Sequence, residues 1–377
     1  MLHHQPVPVA SLTPALSRGE RGKEDRLTVV SVAYSLAPVG PDSVGGSEQV
    51  LTALDQALVA AGHRSIVVAC AGSVTAGELM FYPAPAPGQP IDDAFHRARQ
   101  HDVRRILERI VATGPVDLIH MHGLDFHHTL PPPGPPVLAT LHLPPDWYPP
   151  EALDPSRPGT WLHCVSASQM QAAPPSPRML PPIPNGVPIA ALGHVHPRRG
   201  PAFLVLARIC PEKGVHLALD AAHAARVPLI VAGEVFGYTA HREYFDRDIA
   251  PRLDRLRRYV GPVGFRQKRR LLAAARGLLV PSLCAETSSL VAMEAASCGA
   301  PVIAFRQGAL PEVVEDGRTG FIVDDVAGMV RAIGRIGTLD PQVCRRVAQQ
   351  RFSVERMVAL HLERYHTLAA TRSSRAA

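Results

Sequence analysis

The stretch "ETSSLVAMEAASCGAPVIAF", residues 286–305, decides how this chain is read. Glu286 and Glu294 stand eight positions apart. The residues between them open a helix that Ser288 or Ser289 is placed to cap. Cys298 and Gly299 stop the helix, and Pro301 leads into the apolar strand "PVIAF". Free N–H groups near Ser289 and Leu290, at the positive end of the helix dipole, make an anion site. Glu294 lies one turn beyond Leu290 on the same face, and helical side chains lean toward the N-terminus. Its carboxylate therefore faces the anion site at an offset of about 5–6 Å. A bare phosphate would be repelled there, but a sugar diol would be held by paired hydrogen bonds. Diphosphate at the helix end with ribose hydroxyls on Glu294 describes a nucleotide. Glu286, on the other side of the diphosphate, is placed to bind hydroxyls of an attached sugar.

Strands and helices alternate on both sides of this stretch. "LTVVSVAY" (27–34) reads as a first strand, "EQVLTALDQALVAAGH" as a helix that Gly62 ends, and "SIVVACA" as a second strand. "VDLIHMHG" (116–123), "PVLATLHL" (136–143) and "WLHCVSAS" (161–168) read as further buried parallel strands. The Pro-rich run 174–188 reads as an interdomain linker. Beyond it "AFLVLARI", "PLIVAGE", "GLLVPS", "PVIAF" and "GRTGFIV" alternate with helical segments, among them a charged helix over 244–259, and two or three helices close the chain. The expected architecture is two doubly wound α/β domains facing a cleft, with ligands at the carboxyl ends of the strands. The expected boundaries are a disordered extension at 1–26, a first domain at 27–182, a second at 183–352, and a C-terminal helix and tail at 353–377.

Composition narrows the class. Of 377 residues 46% are hydrophobic, which supports two packed cores, and only 5% are aromatic, so aliphatic packing dominates. Six cysteines without metal or redox spacing read as reduced thiols of a cytoplasmic protein. No apolar run has the length of about 18 residues that a membrane span needs. The net charge is +6, and residues 252–270 hold eight Arg or Lys against one Asp. A solvated helix face is the expectation there, with peripheral contact to anionic lipid on the inner membrane face as the alternative; no nucleic-acid motif accompanies it. "HMHGLDFHH" divides between strand and loop and reads as no zinc site. "DRD" at 246–248 lies in a helix and reads as no metal motif.

The flanking pattern carries a resemblance. "ETSSLVAMEAASCGAPVIAF" followed by "GALPEVVEDGRTGFIV", with "GGSE" (45–48), "DLIHMHG", "ATLHLP", "VSASQ", "IPNGV" and "LARICPEKG" (206–214) in order, resembles the group 1 (family 4) retaining glycosyltransferases of GT-B fold. The resemblance implies that a hexosyl unit moves from a nucleotide-diphosphate sugar with retention of configuration. It places Arg208 and Lys213 on the donor diphosphate and the Glu286/Glu294 pair on the transferred sugar and the ribose. Gly45 and Gly46 bring backbone to the donor, and Ser289 and Leu290 supply the helix N–H groups. His122 falls near the transferred sugar and His142 on the acceptor side. No metal or other cofactor is implied, because fixed cations meet the charge of the leaving diphosphate. The acceptor stays open among carbohydrate, lipid-linked sugar and small metabolite. A catalytically inactive sugar-nucleotide binder, an epimerase and a phosphorylase of the same fold are the alternatives. Ser288 and Ser289 depart from the family's usual Phe-Gly or Tyr-Gly, Ala207 from a glycine, and "AGEVF" (232–236) from a glycine–acidic–glycine turn.

Overall fold

The computed structural model describes residues 26–43, 45–86, 92–193 and 199–376, with side chains to 371. The extension expected over 1–26 lies, Arg26 aside, outside the described residues. Two parallel sheets form the molecule. The first half runs β1 (Thr28–Val32), α1 (Gly46–Ala60), β2 (Arg64–Cys70), β3 (Glu78–Tyr82), α2 (Asp93–Thr113), β4 (Leu118–Met121), β5 (Val137–Leu141), α3 (Pro150–Leu153), β6 (Thr160–Cys164), α4 (Ala167–Ala172) and β7 (Met179–Leu180). The second runs α5 (Ile189–Leu192), β8 (Phe203–Leu206), α6 (Val215–Ala224), β9 (Leu229–Ala232), α7 (Thr239–Tyr244), β10 (Arg257–Tyr259), α8 (Phe265–Ala274), β11 (Leu278–Val280), α9 (Leu290–Ser297), β12 (Val302–Phe305), α10 (Leu310–Val313), β13 (Gly320–Val323), α11 (Val326–Arg335), α12 (Pro341–Arg351) and α13 (Val354–Ala376).

The strand orders are β3-β2-β1-β4-β5-β6-β7 and β10-β9-β8-β11-β12-β13. Both orders reverse once, between β1 and β4 and between β8 and β11, and a crevice opens beyond the strand ends at each reversal. Val-, Ile- and Leu-rich strands buried on both faces give each sheet its own core. The doubly wound expectation holds, and the fold is GT-B.

Two expectations change. The helix expected over 244–259 ends at Arg252, and Arg257–Tyr259 is the edge strand β10. The Asp254 carboxylate accepts the N–H groups of Leu256 (2.8 Å) and Arg257 (2.7 Å), which turns the chain into the sheet. The run 174–188 is not all linker, because Met179–Leu180 adds β7 to the first sheet before the chain crosses. The helix expected over 353–377 is α13, and it docks on the first half. Val354 and Met357 of α13 pack with Val50, Leu54 and Ile183, and Tyr365 and Leu368 with Val29, Leu118 and Leu138, all of the first half.

The basic run 252–270 spans a turn, β10 and α8 and forms no single charged face. Arg252 pairs with Asp220 at 2.8 Å, Arg257 is buried beside Asp254, and Lys268 turns inward. No described helix is long and apolar enough to cross a membrane. All six cysteines are unpaired.

Candidate functional site

The crevice between β8 and β11 collects most of the residues singled out in the sequence. β8 ends at Leu206, and the loop beyond it carries Arg208 and then Lys213 at the close of a short 3-10 turn. Beyond β11, residues 281–289 approach that loop, where Leu283 N–H donates to Glu212 O at 2.8 Å. Lys213 Nζ meets Glu286 Oε1 at 2.5 Å, and the Ser282 hydroxyl donates to the same oxygen. Burial by itself would raise the Glu286 pKa. The Lys213 ammonium and the two hydrogen bonds outweigh burial and hold the carboxyl below its usual range. Burial would likewise depress Lys213, yet Glu286 and the Cys284 side chain keep its pKa above the ordinary value. Arg208 is exposed and makes no ion pair among the described residues, so its guanidinium is available to an anion. Its charge bears on Glu286 and on the buried Glu48.

The backbone of Glu286 is pinned from the other side. Gly308 sits at φ 53, and a Cβ there would lie 2.2 Å from Glu286 O. The next residue, Ala309, donates its N–H to that oxygen at 2.7 Å. The turn that follows β12 thus fixes where the acid stands.

Helix α9 starts at Leu290, with Ser289 in the N-cap position. The expected side-chain cap is absent. Ser289 adopts φ 55 and makes no capping hydrogen bond, and the buried hydroxyls of Ser288 and Ser289 have no partner among the described residues. The N-terminal N–H groups are therefore not occupied by either serine. Glu294 is 3% exposed. Lys268 Nζ of α8 lies 2.5 Å from its Oε1, a partner that sequence reading missed. Burial outweighs that ion pair and leaves the Glu294 pKa raised. A carboxylate so desolvated gains from further hydrogen-bond donors such as a diol.

The first half supplies the facing wall. Gly45 is the N-cap of α1 and Gly46 its first residue; a Cβ on Gly46 would lie 3.3 Å from Leu290 Cδ1, so this loop stands against the start of α9. His122, beyond β4, is buried, and its Nδ1 lies 3.0 Å from His142 Nε2. Burial, then neighbouring imidazoles, push both pKa values down, His142 to about 3, so the pair is neutral at physiological pH. The Thr287 hydroxyl donates to His142 O at 2.9 Å, joining the two walls next to Glu286. A cavity of about 310 Å³ adjoins this junction, lined by Ser166, Glu312 and Arg356 and by Ser288.

The structure thus gathers Arg208, Lys213, Glu286, Ser289, Leu290 and Glu294 at one strand-order reversal, with Gly45, Gly46, His122 and His142 opposite. Ser282, Thr287 and Lys268 join them. Ser282 and Thr287 stand close to Glu286 in sequence, but the contact of Thr287 with His142 and the arrival of Lys268 are tertiary. Such a site can hold a diphosphate between fixed cations and a helix end, with polyol groups on both flanks.

Two family models match. "Glycosyltransferase Family 4" covers residues 44–170 and "Glycosyl transferases group 1" covers residues 200–338. A glycogen synthase of Mycobacterium tuberculosis strain H37Rv is 35% identical over 161 residues, which are 41% of this chain and 38% of that protein. The match therefore spans well under half the length of that relative. Among solved structures, sucrose-phosphate synthase of Thermosynechococcus elongatus superposes with TM-score 0.71 at 20% identity, covering 92% of this chain and all of that one. HepE of Anabaena, in complex with UDP-glucose, superposes with TM-score 0.67 at 19% identity, covering 93% and 100%.

Proposed function

We propose that this chain, which belongs to the family 4, group 1 glycosyltransferases, transfers a hexosyl unit from a nucleotide-diphosphate sugar to an acceptor hydroxyl with retention of configuration. One observation carries the reading. An unpaired Arg208, the Lys213–Glu286 pair, the N-terminus of α9 and the buried Glu294 meet at the single reversal of the second sheet. The UDP-glucose bound by HepE is the kind of donor this arrangement suits.

Diphosphate lies across Arg208, Lys213 and the amides of Ser289 and Leu290. Ribose hydroxyls donate to Glu294, and hydroxyls of the transferred sugar donate to Glu286. As the bond from the anomeric carbon to the diphosphate oxygen breaks, negative charge grows on the leaving group beside the two cations. The acceptor oxygen bonds to the anomeric carbon from the same face, and its proton passes to the departing phosphate oxygen. Glu286, engaged by Lys213 and Ser282, positions the sugar and forms no covalent bond. No step is assigned to a metal ion. His122 and His142 stay neutral and orient hydroxyls near the reacting carbon.

The acceptor belongs to the wall of the first sheet. A thermal-shift screen of nucleotide sugars tests the reading. One base-and-sugar combination should raise the melting temperature in the native chain and fail to do so in Arg208→Ala. Proton NMR of the product then reads the anomeric configuration. Absence of any shift across the screen, or an inverted product, would count against the proposal.

A further inference from the structure

Beside Arg208, and outside the donor grip, three side chains of different donor chemistry converge. They are Cys210, which follows β8, Glu212 in the next turn, and His241 of α7; their ligand atoms lie within 4.8 Å of one another. Cys210 is 1% exposed, with its sulfur 3.8 Å from Arg208 O. The His241 ring stands between Phe236 and Tyr238, with centroids at 6.4 and 5.1 Å, and its buried Nδ1 has no hydrogen-bond partner among the described residues. A ring nitrogen of His241, the Cys210 sulfur and a Glu212 carboxylate oxygen thus lie together, three donors of the kind that divalent cations take.

We infer that Cys210, Glu212 and His241 form a binding site for a divalent cation of the zinc class. One sulfur, one nitrogen and one carboxylate oxygen are a zinc donor set, and small side-chain rotations bring such atoms to the spacing of about 3.3–3.8 Å that tetrahedral bonds of about 2.0–2.3 Å require. A thiolate and a carboxylate balance the charge of the ion, and the fourth position is left to water. The aromatic walls supply the apolar shell that sharpens such a site. The cation would tie the loop that carries Arg208 and Lys213 to α7, fixing the cationic arm of the donor grip.

A second convergence, His120, His163 and His361, lacks this character. Both nitrogens of His120 and of His163 are engaged by Tyr365, Thr140 and the Cys164 carbonyl, so binding a metal there would break an internal network.

The test uses the full chain, stripped with chelator and titrated with Co²⁺ alone, without any nucleotide sugar, so its result stands apart from the sugar-transfer reading. One Co²⁺ per chain should bind and give a thiolate-to-cobalt charge-transfer band in the near ultraviolet. Zn²⁺ should displace it. Cys210→Ser should abolish the band while leaving the thermal melt of the stripped protein unchanged. His241→Ala should weaken binding by about tenfold or more. Cys284→Ser, which removes the neighbouring thiol, should leave the band intact. The inference is overturned if no band appears, if the band survives Cys210→Ser, if it is lost only with Cys284→Ser, or if binding is lost only with His361→Ala.

Discussion

Ser289 holds a left-handed backbone, φ 55 and ψ 68, at the mouth of the site. For a residue with a Cβ that conformation costs about 1–2 kcal/mol, because the Cβ crowds the following carbonyl. The Ser289 hydroxyl recovers none of it, being buried without a partner. Glycine there would remove the clash, at the cost of more freedom in the unfolded chain. Ser289→Gly should therefore stabilise the protein by up to about 1 kcal/mol in a urea melt, the reverse of the usual effect of glycine at a helix start. A loss of stability would show that the serine side chain holds the loop by some other contact. Glu286 makes the opposite case. Its side chain is 12% exposed and that of Lys213 19%, so Glu286→Ala leaves an ammonium largely buried and unpaired. Fully buried pairs lose about 3–5 kcal/mol on such truncation, and residual solvent access reduces this to about 2–3 kcal/mol. Turnover should fall by about 10²–10³ at the same time. Glu286→Gln should keep more of the stability and still lose turnover. The pH sign follows from the lowered carboxyl. The pair contributes fully above the ordinary value of 4.5, and that contribution disappears as pH falls through the lowered pKa. A melt series of native and Glu286→Gln proteins between pH 7 and 3 reads the difference.

Helix α13 shows what an element can depend on. Tyr365 lies 2.7 Å from His120 Nδ1, and Thr140 Oγ1 lies between His120 Nε2 at 2.7 Å and His163 Nε2 at 2.6 Å. His163 Nδ1 must donate to the Cys164 carbonyl, which accepts only, so each proton in the chain of neutral groups is assigned. Tyr365 donates to His120, His120 to Thr140 and Thr140 to His163, and this chain fastens α13 across β4, β5 and β6. His361 faces the same cluster, between His120, His163, Tyr365 and Arg364. Burial, opposed by its bond to the Met357 carbonyl and aided by Arg364, pushes its pKa down to about 4 from 6.5. The folded state therefore binds this proton less readily than the unfolded chain. Stability is complete above pH 6.5 and declines as pH falls toward 4, by about 3 kcal/mol from His361 alone. His361→Leu should lessen that decline in a melting series, the other buried histidines retaining their share; an unchanged slope would remove His361 as a contributor. None of this network was legible in the sequence, because its members come from positions 120, 140, 163 and 365 and meet only through the fold. Elements that bury both faces were legible, as in β1, β4, β5, β8 and β12, whose unbroken apolar runs fit no other position. β3 and α2 went unread. β3 is an edge strand with Phe81 64% exposed and so lacks a clean alternation, whereas α2 does place Val103, Leu107 and Ile110 at helical spacing, thinly spread along 21 mostly polar residues. The site was legible where its residues share one short segment, as Glu286 and Glu294 do, and illegible where a partner such as Lys268 arrives from another helix.

The two sheets meet along a cleft that a few named bonds hold together. Glu312 of α10 accepts the N–H groups of Ser168 (2.6 Å) and Ala167 (3.2 Å) at the start of α4, the Asp42 carboxylate accepts Phe265 N–H at 3.0 Å, and Thr287 reaches the His142 carbonyl. The chain crosses between the halves twice, side by side, where Val187 bridges Ser353. The crossings tie the halves at one point, and the other contacts bear on how far the cleft closes over a donor. Glu312 is the strongest of these, a carboxylate on two backbone donors, and hydrogen bonds to charged groups contribute about 1.5–3 kcal/mol. Glu312 touches none of the residues assigned to the donor, and Ala167 and Ser168 regain water when it is removed. Glu312→Ala should therefore open the cleft without unfolding either half. The radius of gyration in small-angle scattering should rise for the free protein and return toward the native value when saturating donor is added. The free energy lost from closure reappears as a donor KM raised by about tenfold or more, with kcat changed less, because closure is then driven by donor binding energy. Thr287→Val, which removes a neutral bond beside Glu286, should give a smaller opening of the same kind. Scattering that is the same for the native and Glu312→Ala proteins, with and without donor, would show that the crossings alone set the angle between the halves.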